Sequence, residues 1–255
     1  MRERPRPRRA EPLTPLAPRP PRHVLFRQEW RDVVFLHWAA DPFEVARLLP
    51  PGTVPDLFHG RTYVGLVFFR LERLALGSGP ALPYVGAFNE VNVRLYSRDG
   101  LGRRGVVFRS LDCDRLLPVL AARLGLGLPY RWSRTTRAWY GRRLLYRTRG
   151  RTEARPGGRV WLDVADEAVT PSPLEEFLTY RWGLHETALG RPYHLPNAHP
   201  AWTFRRCDLL GWEAPLVATA GLAPPAEEPV SVLYAPGVSV RFGPPAPLPP
   251  GPGPR

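Results

Sequence analysis

The segments FNEVNVRLYS (88–97) and GVVFRSLD (105–112), joined by the turn residues RDGLGR, constrain this chain more than any other feature. Side chains alternate across an extended strand, so Glu90, Asn92, Arg94 and Tyr96 share one face while Val91, Val93 and Leu95 share the other. Such a hairpin commits the chain to a sheet with at least one buried side. Spacing alone leaves the polar row two destinations, a wetted outer surface or the wall of a site.

The remaining pattern is strand-rich. VVFLHW (33–38), RTYVGLVFFRL (61–71), AWTFRRCDLL (201–210) and the later VSVLYA and VSVRF are dense in β-branched and aromatic residues and read as strands. RTTRAWYGRRLLYRTRGR (134–151) reads as a hairpin turning near Gly141 and Arg142. Two helix starts carry caps: Asp41 with Pro42 and Glu44, stopped at Pro50-Pro51, and Ser172 with Pro173 and Glu175. Leu116 to Leu124 reads as another helix, with Asp112 and Asp114 expected to cap it. The expected class is α+β with two or three short helices, and no internal repeat is present.

A chain of 255 residues that is 44% hydrophobic can bury one sizeable core. Residues 1–22 hold seven arginines, two glutamates and many prolines, and 244–255 are proline-rich, so both read as disordered tails around a single domain at 23–243. The net charge of +13 comes entirely from arginine, since the sequence contains no lysine. An arginine-rich, lysine-free composition of the kind a GC-rich bacterial genome produces accounts for this balance, and a nucleic-acid partner is disfavoured without a stacking platform or a groove-reading helix.

Cys113 and Cys207 form no Cys-x-x-Cys pair, so neither a disulfide framework nor a thiolate zinc site is indicated. No signal peptide or apolar run of about 20 residues is present, which points to a cytoplasmic protein without a membrane partner. Homo-oligomerisation is left open. No Gly-x-Gly-x-x-Gly is expected after a strand, no phosphate loop or nucleophile elbow occurs, and His-Glu-x-x-His is absent. His194 and His199 in HLPNAHP read as loop or packing residues and His37 as a satisfied core residue, so no metal and no cofactor is expected.

FLHWAADPFEVARLLPPG, NEVNVRLYSRDGLGRRGVVFRSLD, AARLGLGLPY and FLTYRWGLHE with the later HPAW, in this order, resemble the YqjF-like domain-of-unknown-function family over about residues 24–242. That resemblance implies an acetoacetate decarboxylase-like fold, a β-barrel-like α+β domain with its site inside. It also implies site positions: Arg31, ten residues before Asp41, Glu90 on a following strand, and Tyr130 after Pro129, where the decarboxylase carries its nucleophilic lysine.

Tyrosine there is a decisive departure. Schiff-base decarboxylation needs a neutral primary amine, a phenol forms no imine, and the guanidinium of arginine stays protonated. Acetoacetate decarboxylation by the lysine mechanism is therefore excluded. Inside a barrel the polar row would become a wall, with Arg31, Asn92 and Arg94 binding a small carboxylate or carbonyl compound and Glu90 and Tyr130 acting on it. The expected function is a small-molecule pocket, either an enzyme without Schiff-base chemistry or a non-catalytic binder or sensor.

Overall fold

The computed structural model describes residues 9–152 and 154–249. Strand β1 (Phe26–Ala40) is followed by helix α1 (Pro42–Ala46), where the Asp41 side chain accepts from the backbone N–H groups of Phe43 and Glu44. After the short β2 (Thr53–Pro55), strand β3 (Thr62–Leu76) pairs antiparallel with β1, placing Phe35 beside Val67. β4 (Phe88–Asp99) and β5 (Arg104–Cys113) form the expected hairpin. The Asp99 carboxylate accepts from the N–H groups of Leu101 and Arg103 and ties the turn. Against expectation, Gly100, Gly102 and Gly105 follow a strand with Gly-x-Gly-x-x-Gly spacing, but they lead into β5 rather than a helix, so no helix N-terminus meets them.

Helix α2 (Leu116–Leu126) leads to the hairpin of β6 (Tyr130–Tyr140) and β7 (Arg143–Gly150), which turns at Gly141, and to β8 (Gly158–Val169). Helix α3 (Pro173–Thr179) opens with a complete capping box between Ser172 and Glu175. β9 (Gly183–Ala188) and β10 (Arg191–Ala198) pair with each other, and β11 (Phe204–Glu213) pairs with β8. A 3-10 turn at Pro215–Ala220 precedes β12 (Ser231–Phe242) and β13 (Ala246–Pro247). VSVLYA and VSVRF are thus one strand. They join through Gly237, whose φ of 150° and lack of a side chain let the backbone meet Trp30, since a Cβ would stand 2.1 Å from the Trp30 carbonyl oxygen.

All thirteen strands among the described residues belong to one sheet, and the pairings β4–β5 and β10–β12 link strands far apart in its order. The segment β1–β3–β4 is buried on both faces. Val34, Leu36, Leu66, Phe68, Val91, Val93 and Leu95 pack on one side against Leu144, Tyr146, Val160 and Leu162 of β7 and β8. Each fully buried aliphatic or aromatic side chain there contributes roughly 1.5–3 kcal/mol of transfer free energy, so the sheet can hold its other face around polar groups. That second face carries the row of β4.

Three further expectations change. Of the disordered tail expected over residues 1–22, residues 1–8 lie outside the described residues and 9–22 lie against the domain: the Glu11 N–H donates to the Gly102 carbonyl, and the Trp182 indole donates to the Thr14 carbonyl at 3.1 Å. Leu13 packs beside buried apolar residues, which explains why a proline-rich segment stays in place. At the other end, β13 pairs with β10 and Leu248 is buried, so order extends past residue 243. Asp112 and Asp114 do not cap α2, whose N-cap Arg115 makes no side-chain cap bond. Asp112 is instead bound by Ser110 and Arg155, and Asp114 accepts from the backbone and side chain of Asn89.

Candidate functional site

The row of β4 turns inward. Glu90 is 2% exposed, Asn92 4% and Arg94 8%, and all three line a cavity of about 250 Å³. Most of the remaining lining is apolar, including Phe35, Val67, Phe69 and Phe88 of the neighbouring strand segments. The hydrophobic face of β4 faces the opposite way and holds the row in place. Tyr96, at the end of the row, is buried and accepts from the Arg94 Nε–H at 3.1 Å rather than lining the cavity itself.

Tyr130, the first residue of β6, also lines the cavity. The side-by-side pairing of β6 with β5, where Tyr130 meets Leu111, swings its phenol toward β4. Its hydroxyl donates to Glu90 Oε2 at 2.6 Å. Burial pushes the Glu90 carboxyl up to about 7, against the lowering effect of the hydrogen bonds from Tyr130 and Asn92, with the Asp112 charge raising it further. Burial and the facing Glu90 also hold the Tyr130 phenol well above its ordinary range. At neutral pH Glu90 therefore exists in both protonation states, the condition for passing a proton either way.

Arg94 sits at the α3 end. One guanidinium nitrogen donates to the Leu178 carbonyl at 3.0 Å, and the group lies over the Phe35 and Tyr96 rings. Gly65 makes room for this arrangement, since a Cβ at that position would meet the Tyr96 hydroxyl, Arg94 Cγ and His37 within 3.0–3.2 Å. Among the described residues no carboxylate pairs with Arg94. Beside it stands Arg181, 4% exposed and lining the same cavity, which pairs with Asp56 at 2.5 Å and donates to the Phe177 carbonyl. Asp56 is shared with Arg104 at 2.5 Å, so one buried carboxylate serves two guanidiniums. Positive charge is in excess at this end of the cavity.

Arg31 is not part of the site. The register of β1 against β3 shifts between Arg31 and Val34, with Asp32 in the left-handed region at φ 49°. This bulge leaves Trp30 and Phe35 facing the cavity and sends Arg31 outward, its side chain 51% exposed and paired with Glu29 at 2.5 Å. His37 also differs from expectation. It is fully buried, but neither ring nitrogen has a hydrogen-bond partner among the described residues, and burial with the Arg94 and Arg181 charges keeps it neutral. His194 lies on strand β10 rather than in a loop, its ring 5.3 Å from that of His185 and tilted to it, while His199 lines the cavity.

Sequence reasoning missed Arg181, Asn197 and Trp202, which also line the cavity. Arg181 had a signal, since it follows the capped helix α3 within FLTYRWGLHE. Trp30 Nε1, Asn92 Oδ1, Asn197 Oδ1 and Trp202 Nε1 are buried without partners among the described residues, offering two donors and two acceptors to a bound molecule. Among the described residues no cluster of three or more histidine, cysteine, aspartate or glutamate side chains could hold a metal ion.

A family model, DUF2071, described as an uncharacterized conserved protein, matches residues 27–239. The uncharacterized protein YqjF of Bacillus subtilis (strain 168) is 27% identical over 222 residues, covering 86% of this chain and 91% of that protein. Among solved structures, an acetoacetate decarboxylase-like enzyme from Sphingomonas wittichii RW1 aligns with a TM-score of 0.61 at 14% identity, covering 88% of this chain and 92% of its own. Acetoacetate decarboxylase from Legionella pneumophila aligns with a TM-score of 0.60 at 15% identity, covering 91% and 92%. The enduracididine biosynthesis enzyme MppR, solved in complex with pyruvate, aligns with a TM-score of 0.60 at 15% identity, covering 88% and 90%. These likenesses establish the fold.

Proposed function

The chain belongs to the DUF2071 family, is YqjF-like and has an acetoacetate decarboxylase-like fold, and we propose that it uses this fold to bind a small carboxylate or carbonyl compound. The observation that carries the proposal is Arg94: a guanidinium 8% exposed, lining a cavity, with no carboxylate partner among the described residues. Burying an unpaired cation is costly. A ligand carboxylate, held by two parallel hydrogen bonds, would offset that cost and fix the molecule's orientation. The pyruvate bound by the fold neighbour MppR is an acid of this kind.

The pairings β4–β5 and β10–β12 support reading the sheet as a closed barrel around the cavity, in a single domain whose core spans residues 23–243 and against which residues 9–22 and β13 pack. No helix among the described residues is long and apolar enough to cross a membrane, and a cytoplasmic location is part of this proposal. With no lysine in the sequence, the chemistry proceeds without a Schiff base. Glu90, buffered near neutrality and hydrogen-bonded by Tyr130, would accept or return a proton at a carbon or oxygen of the bound compound, and the Tyr130 hydroxyl would donate to a developing oxyanion.

The test is a panel of 2-oxo and 3-oxo acids against the purified protein, following both thermal stabilisation and product. Acid-dependent stabilisation with turnover lost in Glu90→Gln and Tyr130→Phe is expected. Stabilisation without product in any case identifies a non-catalytic binder. Acids that neither stabilise nor react, or that do so unchanged in Arg94→Met, would contradict the site.

A further inference from the structure

The cavity is charged at one end and apolar at the other. Arg94 and Arg181 stand at the α3 end, tied to the carbonyls of Leu178 and Phe177. Six residues along β4, roughly 20 Å of extended strand, Phe88 lines the cavity opposite Leu71 of β3, which continues through the lining residues Leu74 and Leu76. Helix α2 covers this end: Val119 packs with Leu71 and Phe88, while Pro118 and Ala122 line the cavity. Leu76 both lines the cavity and is 61% exposed, so the apolar end reaches the surface.

A three-carbon acid held at Arg94 would occupy the charged end alone. We propose that the ligand is an amphipathic acid, with its carboxylate between Arg94 and Arg181 and an alkyl or aryl tail running past Phe88, Leu71 and Leu74 beneath α2 toward Leu76. This rests on the carboxylate-binding role of Arg94 and adds the substrate class. The carbons between head and tail pass Glu90, partway along β4, and the Tyr130 phenol bonded to it. The small side chains of Ala121 and Ala122 on α2 leave the tail its space where leucines would have filled it.

Calorimetric titration of the intact chain with acetate, butyrate, hexanoate, octanoate and decanoate, and with the matching 1-alkanols, tests this. Affinity should rise about three- to fourfold per added methylene, as apolar burial of a CH₂ dictates, and each acid should bind at least tenfold tighter than its alcohol. Arg94→Met should erase the preference for acid over alcohol. Ala122→Phe should erase the gain with length, and the length series on the unaltered protein decides the matter even where a variant fails to fold. Arg94-dependent binding that is flat with chain length overturns the amphipathic ligand and leaves the carboxylate site standing. Failure of every acid to bind overturns both.

Discussion

Arg94 is held by a carbonyl, a phenol hydroxyl and two aromatic rings but by no carboxylate among the described residues. A residue kept for structure would lose stability on removal, whereas one kept for a ligand carries its desolvation cost until the ligand arrives. Arg94→Met should therefore leave the ligand-free protein within about 1 kcal/mol of the parent, or more stable, while removing stabilisation by acids. Urea unfolding with and without a saturating acid reads both, and a loss of several kcal/mol in the free protein would mark Arg94 as structural. Glu90 makes a pH prediction. Its folded value near 7 lies above the unfolded 4.5, so the native state holds the proton more tightly, and stability falls as pH rises from about 4.5 through 7. Glu90→Gln should remove that fall, on the order of 3 kcal/mol at full ionisation, as the difference between parent and variant unfolding at pH 5 and pH 8. Anion binding should likewise weaken as pH rises through 7 in the parent and flatten in the variant. The inward row Glu90, Asn92, Arg94 was legible because period two fixes the face, and the resemblance supplied its direction.

Elements were legible where local chemistry is strong. The β4–β5 hairpin, the turn at Gly141 and the Ser172 capping box each carry signals within a few residues. Strands β8, β9 and β10 were not recognised; for β10 the reason is that the prolines of HLPNAHP read as a break, whereas the strand accommodates Pro196, which pairs with Gly183. The bulge that removes Arg31 from the site was invisible for another reason: a single extra residue, Asp32, leaves no mark in composition but reverses the parity of everything before it. Helix α3 matters for more than its own stability, since its last turn presents the carbonyls that hold Arg94 and Arg181. Ser172→Ala should lower stability by about 1 kcal/mol, a fall of roughly 2–4 °C in Tm for a chain of this size, and should weaken acid binding as well. Calorimetry of the variant checks the first and acid titration the second. Lower Tm with unchanged acid affinity would mean that α3 does not position the arginines.

At the scale of the molecule, charge and tails misled more than the core did. The 36 arginines outnumber the 23 acidic residues to give a net +13, yet many of these side chains pair locally, as Arg142 does with Asp163 and Arg137 with Asp32. Composition could not show that residues 9–22 lie against the domain, because proline-rich sequence reports only that no helix forms. Deleting residues 1–22 removes the bonds of Glu11 to Gly102 and Arg104 and of Thr14 to Trp182, and should cost on the order of 3 kcal/mol in urea unfolding at about 1 kcal/mol per bond. Unchanged stability would show that the segment contributes nothing. The central claim is that the inward wall of β4 receives an acid at Arg94. A crystal structure grown with octanoate tests it most directly: the predicted result is a carboxylate within hydrogen-bonding distance of the Arg94 guanidinium, and an acid bound at Arg31 or elsewhere on the outer surface, with Arg94 untouched, would contradict it.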